Sequence, residues 1–198
     1  MVSALHLVLL QYWQSMNLYE LLGILSIIWL WSSFFILTRL WPGNISMTFS
    51  EHAAQTRGSI VYYFLTFSVF LISFYVFIIR WFVPTFQLSK LFSVFMTLAS
   101  LGEFVALIVP TTGGIKTRIH DCASFCMLGL LVPLSGLIAV SPHFPMFIRV
   151  FASLVAPGMI FICLLFTFDK RTLHYKLIAQ IVYGGSFHLL VLIAIFSH

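Results

Sequence analysis

The chain has 198 residues, 61% of them hydrophobic and 8% charged, with a mean hydropathy of +1.08. Soluble domains carry about 25% charged residues, so a water-soluble single core is excluded. Ten Lys and Arg against five Asp and Glu give a net charge of +5, but no basic run lines up phosphates, which excludes a nucleic-acid binder.

Residues 1–17 are apolar but too short to span a bilayer. Val2, Leu5, Val8, Leu9, Tyr12, Trp13 and Met16 recur at helical spacing, with Ser3, His6 and Gln14 opposite. That pattern predicts an amphipathic helix lying in the membrane interface, with continuation into the first span as the alternative. No Lys or Arg precedes Arg39, so no cleavable signal peptide is expected.

Residues 18–198 are predicted to form one all-α domain, a bundle of six transmembrane helices. Uncharged intervals mark the spans: 18 residues between Glu20 and Arg39, 22 between Arg57 and Arg80, 21 between Asp121 and His143, 19 between Arg149 and Asp169. Each matches the ~20 apolar residues a hydrocarbon core requires. Two further spans each contain one ionisable residue, Glu103 or His188. The helices are expected at 19–40, 58–82, 88–110, 119–141, 146–168 and 176–197. Pro42-Gly43, Pro84, Gly113-Gly114, Pro142 and Pro145 mark the connections. Pro133 and Pro157 are expected to kink the fourth and fifth spans. Cys122, Cys126 and Cys163 fall in apolar segments, where they are expected to be small buried hydrophobes rather than disulfides or metal ligands. The 22 Phe and five Trp are expected to be mostly lipid-facing bulk, with Trp29, Trp31, Trp41 and Trp81 including interface anchors.

Basic residues divide by side. Arg39, Arg57, Lys116, Arg118, Lys170, Arg171 and Lys176 border loops 1–2, 3–4 and 5–6, hereafter the odd loops, while Arg80, Lys90 and Arg149 lie at the opposite ends. The positive-inside rule then predicts cytoplasmic odd loops and both termini outside. The tripeptide Asn44-Ile45-Ser46 is a glycosylation sequon that points the other way, but such tripeptides arise often by chance and the charges outweigh it.

Polar chemistry gathers at the odd loops: Glu51, His52 and Arg57; then Lys116, Arg118, His120 and Asp121; then Asp169, Lys170, Arg171 and His174. His52, His120 and Asp121 are expected to approach one another there. His120 and Asp121 point about 100° apart around a helix, so only one faces inward, and Ser124 and Met127 on the same face favour His120. Two ionisable residues sit deeper. Glu103, about eight residues from the odd end of its span, is roughly 12 Å in, and His188, about twelve residues from its odd end, is roughly 18 Å in. Glu103 belongs to the stripe Ala99, Gly102, Glu103, Ala106, which permits close helix approach, and His188 to the stripe Gln180, Gly184, His188. Ionisable groups at such depth mark a functional site or find a partner. For Glu103 the expected donors are His188, Gln180, Ser124 or a bound headgroup.

The segment Ala106-Leu-Ile-Val-Pro110-Thr-Thr-Gly-Gly-Ile-Lys-Thr-Arg118-Ile-His120-Asp121 resembles the bacterial and archaeal membrane family domain of unknown function 998. So does the stretch from Ile45-Ser46 through Ala53-Ala54 to Gly58-Ser59. That family pairs a helix ending in a Pro-containing turn with a helix opening on a His, matched here by Pro110 and His120, with Ser46 in the second region. The acid usual in the Pro turn is replaced by Thr111-Thr112. The resemblance implies a six-helix bundle with no established chemistry, in a wider group tied loosely to lipid and GPI-anchor handling or to cytochrome b561-like bundles.

The function expected is non-enzymatic: a lipid or small amphiphile held between helices, or a subunit of a membrane assembly. Glu103, His188, His120, Asp121, His52 and Arg118 are the candidate ligand-binding residues; no catalytic residue, resident metal or cofactor is assigned. The expected partners are the bilayer, a bound lipid, and further copies of the chain or a larger membrane complex. A small proton-coupled transporter or channel subunit using Glu103 and His188 is the main alternative. A b-type haem carrier and a metal-dependent lipid hydrolase built on His52, His120 and His174 stand behind it.

Overall fold

The computed structural model describes residues 17–109, 111, 113–168 and 170–198. The interfacial helix expected at the N-terminus lies, up to Met16, outside the described residues. Among the described residues there is no strand, and six helices are long and apolar enough to cross a membrane.

Helix α1 (Leu18–Leu40) starts where Asn17 and Glu20 cap each other. The Asn17 side chain accepts from the Tyr19 N–H at 2.9 Å, and the Glu20 carboxylate accepts from the Asn17 N–H at 2.6 Å. A five-residue helix, α2 (Phe49–Ala53), interrupts the first odd loop, with Thr48 and Glu51 forming a second such box. Helix α3 (Arg57–Phe77) runs on through a π-helical turn, Ile78–Phe82, into a last turn, Val83–Thr85. The wider turn lies just before Pro84, which has no N–H to give the ordinary ladder. Helix α4 is Lys90–Ile108, α5 is Gly114–Val140, α6 is Met146–Phe168, and α7 is Lys176–Phe196 after a 3₁₀ segment, Lys170–Tyr175. Helix α5 begins five residues before the expected boundary of 119. Gly113 and Gly114, at φ +97° and +62°, turn the chain tightly enough for the helix to start at once. Helices α5 and α6 run unbroken through Pro133 and Pro157.

Spans adjacent in sequence pack side by side, and α7 reaches back to α1. Helices α4 and α5 approach each other closely at Gly102. A Cβ added at Gly102 would lie 2.9 Å from the Ala123 carbonyl oxygen and 3.3 Å from the Met127 nitrogen. The small-residue stripe on α4 therefore has a direct structural reason.

Two expectations about apolar residues are corrected. Cys122, Cys126 and Cys163 lie on outward-facing surfaces. The Phe side chains are in large part interior: Phe67, Phe70, Phe74, Phe77, Phe82, Phe86, Phe92, Phe144 and Phe187 are all buried. Below mid-bundle they close the even-loop end, with Phe82 against Phe86 at 5.0 Å and Phe86 stacked on Phe144 at 4.2 Å between centroids. Trp81 is buried with them, whereas Trp29 faces outward and donates its indole N–H to the Thr66 carbonyl. In a bilayer the outer surface is as apolar as the core, so hydropathy alone does not say which way a Phe or Cys points.

Candidate functional site

The odd-loop end is built differently. Helix α2 lies across it, and α2 with the loop before it is fastened to the start of α7 by three polar links. The Phe49 N–H donates to Gln180 Oε1 at 2.8 Å, the Leu177 N–H to the Ile45 carbonyl at 3.0 Å, and Lys176 Nζ to Glu51 Oε1 at 3.1 Å. Partial burial works against the Glu51 carboxylate. The Thr48 backbone N–H and the Lys176 ammonium outweigh it and hold the Glu51 pKa below its ordinary value of 4.5. Phe49 also stacks on Phe34 of α1, 3.7 Å between centroids and 8° from parallel.

Beneath α2 is a cavity of about 140 Å³ walled by α1, α3, α4, α5 and α7. Its aromatic side is a helical stripe of α3, Tyr63, Phe67, Phe70 and Phe74, joined by Trp31 and Phe34. Its polar groups include Ser50, Ser100, Glu103, His120, Ser124, Gln180 and His188. A water needs roughly 10–15 Å³ on this kind of measure, and an engineered cavity of about 150 Å³ takes a benzene, so this one has room for a small organic group.

Glu103 is 8% exposed and faces this cavity. It lies five residues from the last residue of α4, about 8 Å along the axis, shallower than expected because α4 ends at Ile108 rather than at 110. Its Oε2 is buried and has no hydrogen-bond partner; the same holds for Ser100 Oγ and His188 Nδ1. The protein donors expected for Glu103 are near but otherwise arranged. Gln180 spends its carbonyl on Phe49. His188 is set among ring edges, with Phe70 and Phe74 each at 5.5 Å and Trp31 at 5.9 Å. No ion pair between Glu103 and His188 forms among the described residues.

His120 is buried and Asp121 exposed, so the single inward position goes to His120. His120 Nδ1 lies 2.8 Å from both the Ala106 and the Val109 carbonyl oxygens. Carbonyls only accept, so Nδ1 carries a proton and donates to both, satisfying acceptors that the C-terminal end of α4 leaves open. In the neutral ring Nε2 is then an acceptor. His120 also borders a second cavity of about 20 Å³ beside α2, and Ser50, Tyr63 and Ala106 line both.

His52 is 2% exposed, but it does not line the cavity. Its Nδ1 donates to the Thr48 carbonyl at 2.9 Å, and its Nε2 would be 2.7 Å from a Cβ added at Gly43. It packs the first odd loop. Arg118 and Asp121 point outward at the rim, where water solvates their charges. His120 meets the first odd loop across the second cavity, which Ser50, Ala53 and Ala54 also line, while no three His, Cys, Asp or Glu side chains cluster in metal-binding fashion among the described residues. His52, His120 and His174 do not form one either.

Two parts of the site escaped the sequence reading. The pattern Thr48-Phe-Ser-Glu51 is a capping-box signature and announces α2. Tyr63, Phe67, Phe70, Phe74 and Phe77 recur at spacings of three and four, the mark of one helix face. Comparison with family models, with curated proteins and with solved structures finds no match for this chain.

Proposed function

We propose that this chain is a non-enzymatic, multi-pass membrane protein that holds a small amphiphile in the cavity beneath α2. One observation carries the reading: the cavity is walled by aromatic rings, yet it contains three buried polar atoms, on Ser100, Glu103 and His188, without partners. Each such atom costs about 1–3 kcal/mol, and a ligand with a polar head and an apolar stem satisfies both kinds of wall. Seven of the ten basic residues border the odd loops, which favours a cytoplasmic odd end and both termini outside. The kinship with domain of unknown function 998 is part of the same proposal.

Trp31 lines the cavity, so brominated short-chain amphiphiles added to protein in mild detergent should quench part of its fluorescence saturably. The Trp31→Phe variant should lose that part. Quenching that is linear in concentration and unchanged in the variant would mean that nothing enters.

A second reading, proton-coupled transport, draws on the presence of Glu103 and His188 in one cavity. It requires pH-driven flux in proteoliposomes that Glu103→Gln abolishes.

A further inference from the structure

We propose that the polar head accepted by this cavity is a small alkylammonium, with Glu103 as its counter-charge and the aromatic wall as its cradle. This deepens the amphiphile reading and rests on it. The charge inventory of the lining decides the sign. Among the described residues Glu103 is its only acid, and no Lys or Arg lines it. Lys176, at the start of α7, is engaged by Glu51 at 3.1 Å, and Arg118 points outward. A carboxylate or phosphate head would meet Glu103 with no fixed positive charge to hold it, which is a strongly unfavourable burial.

A cation finds the reverse. Glu103 Oε2 is buried and unpartnered, and Ser100 Oγ, three residues away on the same face of α4, is a second open acceptor. Charge-assisted N–H···O bonds are the strong ones. His120, with Nδ1 committed to the Ala106 and Val109 carbonyls, offers only an acceptor in its neutral form. The rings of Phe67, Phe70 and Phe74 line the same space, and aromatic π systems attract cations best where water is absent. The volume of about 140 Å³ fits an ammonium on a stem of a few carbons, and of a two-chain phospholipid it admits only the amine end of the headgroup.

The test compares three ligands with one stem, n-pentylammonium, 1-pentanol and pentanoate, by titrating Trp31 fluorescence of the protein in phosphatidylcholine nanodiscs. We expect pentylammonium to bind about tenfold or more tighter than pentanol, and pentanoate weakest. Glu103→Gln should bring pentylammonium down to the level of pentanol. Phe70→Leu should weaken pentylammonium more than pentanol, and it tests the cradle should the first variant fail to fold. Equal binding of all three, unmoved by either variant, overturns the ammonium assignment and leaves the amphiphile reading standing. A preference for pentanoate overturns the assignment as well. Binding of none overturns both. Nanodiscs containing phosphatidylethanolamine distinguish the source: loss of added pentylammonium there means a lipid headgroup supplies the cation, and unchanged binding means a free amine does.

Discussion

Replacing Glu103 by Met separates a functional carboxylate from a structural one through stability alone. Its Oε2 is buried without a protein partner, which costs about 1–3 kcal/mol, and more when the group is ionised. Met is unbranched and of similar size, so the substitution opens no large cavity and forces no overpacking. The expected result is therefore a more stable protein, by about 1–3 kcal/mol, that no longer binds ligand. For a chain of this length, 1 kcal/mol moves Tm by about 2–4 °C, so thermal unfolding in one detergent, followed by intrinsic fluorescence, resolves the change. Glu103→Gln keeps a polar atom at the site and should stay within about 1 kcal/mol of the parent. If Met lowers stability by more than about 1 kcal/mol, the carboxyl is bonded to something inside the bundle and the reasoning fails.

Gly102→Ala and Gly129→Ala should move stability in opposite directions. The first puts a methyl 2.9 Å from a backbone oxygen, while a Cβ at Gly129 meets nothing within 4 Å. Overpacking costs about 1–3 kcal/mol and helical Gly→Ala gains about 0.5–1 kcal/mol, so thermal unfolding should show the Gly129 variant as the more stable, and the reverse order would refute the close approach of α4 to α5. The Glu51 carboxyl sits below 4.5 in the folded protein, so the Glu51–Lys176 contribution is fully present above that pH and is lost as the pH falls through the folded value. Lys176→Met should flatten this acid dependence while costing less than about 1 kcal/mol at pH 7, because both side chains are about one-third exposed, at 32% and 35%; an acid profile unchanged by the variant would exclude the pair. Hydrogen exchange should find the α2 amides exchanging faster than those around Phe74 in α3; equal protection would mean that α2 opens only with the whole bundle.

The six spans were legible because a bilayer demands runs without charge, and those runs stand out between Glu20, Arg39, Arg57, Arg80 and Asp121. The polar residues within them were informative about direction too. Glu103, His120, Gln180 and His188 all line the interior cavity, since a polar group on the lipid face has no partner and no water. The apolar residues carried no such information. Cys126 and Phe70 both sit in uniformly apolar stretches, yet one faces outward and the other is 5% exposed. Near the membrane edge the rule about polar residues also lapses. There water reaches the side chain, so Asp121 and Arg118 turn out while His120, one and two residues away, turns in. His52 shows the remaining gap: it packs against Gly43, a contact that spacing along the chain does not encode.

The two ends of the bundle are held by different physics, and this bears on how a ligand reaches Glu103. At the even-loop end the seal is apolar and continuous, with Phe77, Phe82, Phe92, Leu134 and Ile138 essentially without exposure. Opening it would break many close contacts at once, and interiors packed at such density deform little. At the odd-loop end the cover is a five-residue helix held by one hydrogen bond to α7, a second from α7 to Ile45 in the loop before it, one ion pair about one-third exposed and the stacked ring of Phe49. Hydrogen bonds contribute about 0.5–1.5 kcal/mol each and exposed ion pairs less than about 1 kcal/mol, so displacing α2 costs far less than unpacking the aromatic end. Gln180 links that cover to the cavity, because the side chain that holds Phe49 also lines the wall beside Glu103. A head that drew Gln180 into its own hydrogen bonds would release one of the fastenings of α2.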